Sequence, residues 1–366
     1  MKQAFIISCF DWYKSRLMPV REVLIEHDYN VTVFIADFHH INKTPIEKKY
    51  PECTYIHVTH YKKNLSIKRI RSHLMFGREI GKRLNEIQPD LIFCQIPPNN
   101  VANYCRKYKE KKPDTYLFLD IIDLWPESMP IGKVRDVVYF WKQWRNKAIQ
   151  SANHVYTECD LYKEKLGLNP EKTSTLYLFK EQTNEEKELV REIIETGKKD
   201  NIIRFAYLGS MNNIIDIEGI CRVIRRFINY GNPCEFHAIG DGESRGQFEN
   251  EIRNLGCDVH FYGTIFDEIE KIHILAPCNY AFNMMKGNIS VGLTIKSIDY
   301  LSYGLPLINN IKGDTWRLIE SKKLGVNVET GATFDLLEFD HKSILESYQR
   351  VFTKDSFSKE IRKHIK

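Results

Sequence analysis

The sequence predicts an α/β protein of two doubly wound domains, each built around a parallel sheet. Short runs of β-branched and aromatic residues alternate with charged segments of helical periodicity. Such runs suit strands that are covered on both faces, and their alternation with helices indicates βαβ units. A polar stretch, residues 180–200, interrupts the alternation, which then restarts. For a chain of 366 residues, we expect two such domains facing one another across a cleft.

The first half of the chain contains seven predicted strands. They span residues 4–9, 31–35, 55–58, 91–95, 116–120, 154–157 and 174–178. The segments between them have the polar faces of helices that cover a sheet. We assign residues 1–180 to an N-terminal Rossmann-like domain.

The second half contains six further predicted strands. They span residues 203–208, 235–239, 259–262, 280–283, 305–309 and 325–328. Residues 181–200 are almost all charged or polar and are interpreted as a helical linker. Residues 201–340 form the second Rossmann-like domain. Residues 341–366 have helical spacing, and we expect this C-terminal helix to pack back on the N-terminal domain.

The composition excludes several classes of protein. A net charge of +5 is small for this length and does not indicate a nucleic-acid-binding protein. The nine cysteines lack the paired spacing of a zinc site, so we expect reduced thiols in a cytoplasmic protein. No signal peptide and no run of ~20 apolar residues is apparent. Membrane contact is therefore expected to be peripheral, at the inner face of the cytoplasmic membrane.

Residues 287–306 predict an anion-binding site. Small residues lead into a helix that carries Lys296 and Asp299, and a Gly-Leu-Pro sequence ends that helix. Unpaired backbone N–H groups at a helix start attract anions together with the helix dipole. Lys296 would add a full positive charge, and Asp299 would accept hydrogen bonds from sugar hydroxyls. The pattern predicts a cradle for a nucleotide diphosphate, the alternative being an ordinary loop-to-helix junction with solvated side chains.

Four motifs of the second half occur in order. They are Phe-Ala-Tyr-Leu-Gly-Ser from residue 205, Ala-Ile-Gly-Asp-Gly-Glu from 238, Val-His-Phe-Tyr-Gly-Thr from 259, and Lys-Ser-Ile-Asp-Tyr-Leu-Ser-Tyr-Gly-Leu-Pro from 296. The first half adds Asp-Ile-Ile-Asp-Leu-Trp-Pro-Glu-Ser from residue 120. This arrangement resembles the retaining GT-B glycosyltransferases of family 4, which assemble capsules, O-antigens and exopolysaccharides. The resemblance covers most of the chain.

The resemblance implies that the second domain binds a nucleotide sugar, with UDP as the expected nucleotide. A glycine that follows a strand lets the backbone approach a phosphate, although Gly209 and Gly240 also suit simple tight turns. The implied donor-binding residues are Gly209, Ser210, Gly240, Asp241, Ser290, Gly292, Leu293, Thr294, Lys296 and Asp299.

Two departures from the family pattern concern this donor site. Family members often carry two glutamates separated by seven residues, and here Val291 and Asp299 occupy those positions. Ser290 or Asn288 would supply a contact in place of the first carboxylate. Many members also place an Arg and a Lys after the first glycine turn, whereas residues 211–216 contain neither Arg nor Lys. Lys296 would then be the main cation of the site.

The chemistry implied by the resemblance needs neither a metal nor a cofactor. No Asp-x-Asp motif follows a strand, so amides, helix dipoles and Lys296 would stabilise the leaving phosphate. In a retaining transfer, that phosphate takes the acceptor proton. Asp123 is the first candidate to contact the transferring sugar or the acceptor, followed by Glu127 and Asp120. The alternative for Asp123 is that it caps a helix after Pro126. Asp11, Trp12, Asp120 and Trp125 are expected on the acceptor side.

Two basic segments predict docking on an anionic membrane surface. Residues 66–87 place Lys and Arg beside a stripe of Ile67, Ile70, Leu74, Ile80 and Leu84. Residues 133–149 place Trp141 and Trp144 beside Lys133, Arg135, Lys142, Arg145 and Lys147. The alternative is that both are amphipathic covers for a sheet, with their basic residues in water.

These observations predict a metal-independent retaining glycosyltransferase that moves a hexose to a lipid-linked or saccharide acceptor of surface-polysaccharide synthesis. The first alternative is a non-catalytic GT-B partner that activates or chaperones another transferase. A second is a nucleotide-sugar 2-epimerase. A Rossmann dehydrogenase is disfavoured because no Gly-x-Gly-x-x-Gly follows the first strand.

Overall fold

Two parallel sheets organise the chain, one in each half of its sequence. The computed structural model describes residues 1–11, 14–47, 49–128, 139–197, 200–287, 291–329 and 338–365. Unit 1 comprises Met1–Leu178 and Phe357–Lys366, and unit 2 comprises Phe179–Ser356. The predicted α/β class, with one doubly wound domain in each half, is confirmed.

Unit 1 is built on a seven-stranded sheet in the order β5-β2-β1-β6-β7-β8-β9, with every pair parallel. Its strands are β1 (Lys2–Ser8), β2 (Tyr29–Ala36), β5 (Cys53–Ile56), β6 (Leu91–Ile96), β7 (Tyr116–Ile121), β8 (His154–Thr157) and β9 (Thr173–Thr175), with a small antiparallel hairpin of β3 (Phe38–His39) and β4 (Thr44–Pro45). The hairpin was not predicted because two-residue strands leave no periodicity to detect.

The helices of unit 1 cover this sheet. They are α1 (Lys14–Glu26), α2 (Ile67–Ile87), α3 (Asn99–Lys111), α4 (Tyr139–Ser151), α5 (Asp160–Leu166) and the end of α13 (Lys354–Arg362). Ser66 caps α2 because its side chain accepts a hydrogen bond from the Arg69 N–H. The sheet strands carry the buried apolar residues that form the core, since both faces of the sheet are covered.

Unit 2 is built on a six-stranded parallel sheet in the order β12-β11-β10-β13-β14-β15. Its strands are β10 (Ile203–Leu208), β11 (Cys234–Ile239), β12 (Asp258–Gly263), β13 (Tyr280–Asn283), β14 (Leu307–Asn309) and β15 (Gly325–Asn327). Its helices are α6 (Asn184–Thr196), α7 (Ile217–Asn229), α8 (Arg245–Arg253), α9 (Glu268–Leu275), α10 (Ile295–Ser302), α11 (Asp314–Lys322) and α12 (His341–Val351).

The predicted linker and the predicted C-terminal helix are both helical, and each can be assigned to a unit. The predicted linker, 181–200, contains α6, which begins with a capping box at Thr183 and belongs to unit 2. Helix α12 also belongs to unit 2, where the Tyr348 hydroxyl donates to the Lys180 carbonyl at 2.7 Å. Chain from Phe357 onward belongs to unit 1, where Arg362 pairs with Glu26. Across the described residues, every helix is too short or too polar to traverse a bilayer.

Candidate functional site

The carboxyl ends of β10 and β13 form the centre of the candidate site in unit 2. These two strands are neighbours, and the chain winds away from them in opposite directions. Ligands of doubly wound sheets bind at such a switch point. Gly209 directly follows β10 with φ +124°, and a Cβ built on it would meet no atom within 4 Å. The open space above Gly209 suits the close approach of a ligand.

Helix α10 begins at this switch point because both neighbouring strands hold it. The Thr294 hydroxyl caps the helix by accepting from the Ser297 N–H, and it contacts Asn283 Oδ1 at the end of β13 at 3.0 Å. One turn later, the Tyr300 hydroxyl accepts from the Leu208 N–H of β10 at 2.6 Å. The first turn of α10, which carries Lys296, therefore lies at the ends of β10 and β13.

Lys296 supplies a positive charge at this position. Its Nζ lies 5.0 Å from the centroid of the Tyr207 ring, the second-last residue of β10. Among the described residues, no carboxylate lies within ion-pairing distance of it. Burial lowers the pKa of Lys296 to about 8, so it is mostly charged at neutral pH. A half-buried ammonium group without an anionic partner is suited to bind an anion.

The two glycine loops beside Lys296 are bonded to one another. The Tyr207 hydroxyl donates to the Ser210 carbonyl at 3.0 Å, and the Met211 N–H donates to the Asp241 carbonyl at 2.8 Å. A Cβ on Gly240 would lie 2.0 Å from the Gly209 carbonyl oxygen. Packing against the neighbouring backbone is therefore enough to explain the glycine at position 240. This favours a tight turn over a phosphate contact at Gly240. The Asp241 carboxylate itself is 60% exposed.

The loop before α10 is described only from residue 291. Ser290 and Asn288, predicted to contact the donor sugar, lie outside the described residues. The Gly292 carbonyl accepts from the Thr315 N–H at 3.0 Å and from its hydroxyl at 3.1 Å, which ties the loop to α11. Leu293 is partly exposed next to the buried Thr294.

Asp299 belongs to a charged network that the sequence did not reveal. Its Oδ1 accepts from Lys180 Nζ at 2.9 Å, and Lys180 also bonds the Glu268 carboxylate and the Tyr303 hydroxyl. Burial raises the pKa of Glu268, but the nearby Lys180 outweighs this effect and the net pKa is lowered. Lys180 and Glu268 were missed because 88 residues separate them in the chain. A ribose contact by Asp299 would have to coexist with this ion pair.

Asp120 is not available to an acceptor. The side chain is fully buried, and both carboxylate oxygens accept from Arg16, at 2.8 Å and 2.7 Å. Gln95 donates to it as well, at 3.0 Å. The expectation of an acceptor-side role is therefore corrected, because a buried bidentate ion pair with no exposed surface organises the sheet instead.

Asp123 holds together the turn that follows β7. Its Oδ1 accepts from the Leu124 N–H at 2.7 Å and from the Ser128 hydroxyl at 2.6 Å, and its Oδ2 accepts from Trp125 Nε1 at 2.7 Å. Three donors occupy this carboxylate. This geometry favours a structural role in the turn over contact with the transferring sugar, although the described residues that follow Pro126 form a turn rather than the expected helix.

Glu127 is likewise engaged within unit 1. Arg145, which is fully buried, donates to both Glu127 oxygens at 2.8 Å and to the Trp125 carbonyl at 3.0 Å. Burial raises the pKa of Glu127, but the hydrogen bonds and charge of Arg145 lower it by more. The assignment of Arg145 to a basic membrane-facing surface is therefore wrong. Lys133 and Arg135 of the same predicted segment lie outside the described residues.

The remaining acceptor-side candidates surround the end of β1. The Asp11 carboxylate pairs with His39 Nδ1 at 2.5 Å, and Trp125 is 8% exposed. The Arg69 guanidinium lies 4.4 Å from the centroid of the Trp125 ring. Trp12 lies outside the described residues.

Glu158 is a candidate that the sequence reading missed. It directly follows β8, and its N–H donates to the carbonyl of Ile121 at the end of β7. Its Oε2 is buried and has no hydrogen-bond partner in the described part of the chain. Burial raises its pKa to about 7, and the charges of Asp120 and Asp123 add to this effect, against the opposing charge of Arg16. The available signal was a carboxylate at a predicted strand end.

The apolar stripe predicted on α2 divides into two faces. At 100° per residue, Ile67, Ile70 and Leu74 lie within about 60° of one another, and Ile80 and Leu84 are turned away by about 90°. Ile80 and Leu84 are buried, whereas the other three are 84%, 38% and 45% exposed. The single-stripe expectation is corrected: α2 covers the sheet with one face and presents three aliphatic side chains on another.

In the part of the chain that the structure describes, two side-chain clusters have metal-ligand chemistry, and neither includes a predicted site residue. Asp37, His57 and His60 form one, and Glu235, His237 and His260 form the other, with the ligand atoms of each within 4.8 Å of one another. Glu235 is already paired with Arg204 at 2.7 Å. The absence of a metal requirement stays a prediction.

Comparisons with known proteins identify the fold. No protein-family profile and no curated protein sequence matches this chain. The lipopolysaccharide outer core galactosyltransferase WaaB is 15% identical, with a TM-score of 0.59 over 100% of this chain and 99% of that one. Sucrose-phosphate synthase from Thermosynechococcus elongatus is 13% identical, with a TM-score of 0.61 over 98% and 97%. Anabaena HepE, solved with UDP and glucose, is 13% identical, with a TM-score of 0.54 over 99% and 95%. The likeness shows the GT-B fold that the resemblance implied.

Proposed function

We propose that this protein is a retaining, metal-independent glycosyltransferase of the family 4 type. It moves a hexose from a nucleotide-diphosphate sugar, with UDP as the expected nucleotide, to a lipid-linked or saccharide acceptor in bacterial surface-polysaccharide synthesis. The GT-B fold supports the general class, since WaaB is a galactosyltransferase and HepE was solved with UDP and glucose.

The position of Lys296 carries the proposal. Its ammonium group has no carboxylate partner among the described residues and stands at the start of α10, beside the open backbone at Gly209. A diphosphate at this point would meet a full positive charge and the positive end of a helix dipole. The same groups would stabilise the charge that develops on the leaving phosphate.

A retaining transfer of this kind places little demand on protein bases. The departing phosphate takes the proton of the acceptor hydroxyl while the acceptor attacks the same face of the sugar. Asp123, the first candidate from the sequence to contact the transferring sugar or the acceptor, accepts three hydrogen bonds within its own turn. Its engagement agrees with a mechanism in which the donor phosphate itself acts as the base.

The exposed face of α2 supports an acceptor carried on a membrane. Ile67, Ile70 and Leu74 are exposed beside Lys68, Arg71 and Arg78, which are also exposed. Aliphatic residues flanked by basic ones insert at the surface of anionic bilayers. We propose that this face holds the protein at the inner surface of the cytoplasmic membrane, where a lipid-linked acceptor is reached.

Transfer by the purified full chain tests the proposal. The protein is incubated with radiolabelled UDP-glucose, UDP-galactose or UDP-N-acetylglucosamine, EDTA and a lipid extract of the source cells. We expect one sugar to enter the lipid fraction, with the anomeric configuration of the donor retained in NMR spectra of the product. Transfer that requires a divalent ion would contradict the metal-free part, and absence of both transfer and UDP binding would refute the whole proposal.

A non-catalytic GT-B partner is the second candidate. Val291 stands where family members often have a carboxylate, and residues 211–216 contain no base. Such a protein would bind nucleotide through Lys296 and activate or chaperone a separate transferase. Saturable UDP binding without transfer by the chain alone would favour this candidate.

A further inference from the structure

Arg69 is a buried cation without a counter-ion in unit 1. Its side chain is 7% exposed, and no carboxylate of the described residues lies within ion-pairing distance of it. Nη1 donates to the Asn64 carbonyl at 3.0 Å, and Nη2 lies 3.4 Å from His40 Nε2. The Nε atom is buried and has no hydrogen-bond partner among the described residues. Burying a guanidinium group in this way is costly unless a ligand completes its bonding.

Aromatic rings surround the Arg69 guanidinium but do not complete its bonding. Its central carbon lies 4.4 Å from the centroid of the Trp125 ring and 5.9 Å from that of Tyr61. Cation–π contacts stabilise the charge, yet they supply no acceptor for Nε, the guanidinium donor that lacks a hydrogen-bond partner among the described residues.

His73 lies one helical turn after Arg69 and is a second buried group with unused bonding capacity. Its side chain is 5% exposed, and its buried Nε2 has no hydrogen-bond partner within the described ranges of the chain. The ring packs against Trp125 at 5.6 Å and against Phe10 at 5.8 Å. Two unpartnered polar atoms, Arg69 Nε and His73 Nε2, thus belong to one turn of α2.

The charge around these atoms is positive. Burial, assisted by the charge of Arg69, lowers the pKa of His40 to about 3 and that of His73 well below its ordinary value, so both rings are neutral. A neutral imidazole can still donate one hydrogen bond. The pKa of Lys43 is lowered chiefly by burial and further by the charge of Arg69. Burial also lowers the pKa of Arg69, and the charge of Asp123 partly opposes this effect.

This group of residues lies where a doubly wound sheet binds ligands. Phe10 follows β1, His40 lies in the hairpin that follows β2, and Trp125 follows β7. The carboxyl ends of parallel strands share one edge of the sheet, so Arg69 stands at the ligand-binding edge of unit 1.

We propose that Arg69 and His73 bind an anionic oxygen group, a phosphate or a carboxylate, on the ligand of unit 1. The Arg69 guanidinium would donate hydrogen bonds to two oxygens of that group, and His73 Nε2–H would donate to one of them. The assignment of the ligand as the sugar acceptor rests on the proposed function, which would make the acceptor itself anionic.

Equilibrium binding to the full chain tests the site without any need for transfer. Calorimetric titrations, run with saturating UDP so that the Lys296 site is already occupied, use inorganic phosphate, methyl glucuronide and neutral methyl glucoside as probes. We expect at least one anion to bind at a single site, and methyl glucoside not to bind there. Binding of phosphate but not of methyl glucuronide would identify a phosphate-bearing ligand. Binding of methyl glucuronide but not of phosphate would identify a uronic acid.

Variants of α2 locate the binding. Arg69→Gln should weaken binding of that anion at least tenfold, and Arg69→Lys, which keeps the charge but loses the fork, should restore part of it. Arg253→Gln, at an exposed position on α8 of unit 2, should bind like the wild type. The inference is overturned if neither anion binds the wild-type protein, or if a folded Arg69→Gln variant binds as tightly as the wild type. Failure of sugar transfer with anion binding intact would refute only the proposed function.

Discussion

Lys296 Nζ lies 5.0 Å from the centroid of the Tyr207 ring. This cation–π contact joins the first turn of α10 to the end of β10. The ring stabilises the ammonium group without neutralising it. Because Tyr300 of the same helix bonds the Leu208 N–H, the position of this charge relative to Gly209 is fixed by the fold. A preorganised cation of this kind binds an anion without reorganising first.

Replacing Lys296 is expected to remove most of the affinity for nucleotide. Lys296→Ala should weaken UDP binding by about 10- to 100-fold, because a charge-assisted hydrogen bond is worth about 1.5–3 kcal/mol. Isothermal titration of UDP measures the effect. Lys322→Ala, at an exposed position of α11, is the control and should bind UDP normally. Equal affinity in both variants would exclude Lys296 from the site.

The binding of UDP should weaken as the pH rises above about 8. The lowered pKa of Lys296 means that the free protein loses this charge near pH 8, whereas a bound diphosphate would keep the lysine protonated to higher pH. The affinity for UDP therefore falls by up to tenfold per pH unit between the pKa of Lys296 in the free protein and its higher pKa in the UDP complex. Titrations from pH 7 to 10 should show this fall in the wild type, and a Lys296→Arg variant, which stays charged, should not show it.

Asp123→Asn is expected to destabilise unit 1 more than it changes the chemistry. An amide nitrogen cannot accept, so at least one of the donors from Leu124, Trp125 or Ser128 loses its partner. The free energy of unfolding, measured with urea, should fall by about 1–3 kcal/mol. Asp114→Asn, at an exposed loop position, should leave it unchanged. A large loss of turnover without loss of stability would instead return Asp123 to a catalytic role.

Glu158→Gln is expected to stabilise the protein at high pH. The folded-state pKa of about 7 lies above the ordinary value of 4.5, so the folded protein holds a proton that the unfolded chain releases between those values. Stability is therefore lost as the pH rises from 4.5 to 7, by on the order of 1–3 kcal/mol. Urea unfolding at pH 4.5 and pH 8 should show a smaller difference in Glu158→Gln than in the wild type. An unchanged difference would mean that Glu158 titrates normally.

Leu74→Ser is expected to weaken membrane binding. Burying this side chain in a bilayer surface would contribute about 1.5–3 kcal/mol, so partitioning onto vesicles of phosphatidylglycerol should fall about tenfold or more. Ile25→Ser is a matched control, because Ile25 and Leu74 are each 45% exposed. Co-sedimentation measures both variants, and equal losses would show that the face of α2 has no special part in docking.

Most of the fold could be predicted from the sequence because strand patterns are local. All thirteen predicted strands overlap observed ones, and 154–157, 203–208 and 280–283 match their full bounds. In α2 the local pattern was insufficient. Ile67, Ile70 and Leu74 look like core residues by type, and only the packing of the helix shows that they are exposed.

Local sequence patterns were enough to predict the alternation of strands and helices, the α/β class and the loop that leads into α10, since each depends on neighbours within a few residues. Which charged side chains already have an ion-pair partner can be seen only in the folded structure. Asp120 meets Arg16 across 104 residues, and Asp299 meets Lys180 across 119. Arg69 and Lys296, by contrast, are left without a carboxylate partner among the described residues. Ion pairing depends on distance in space rather than along the chain, so only folding reveals which of these side chains remain available to a ligand.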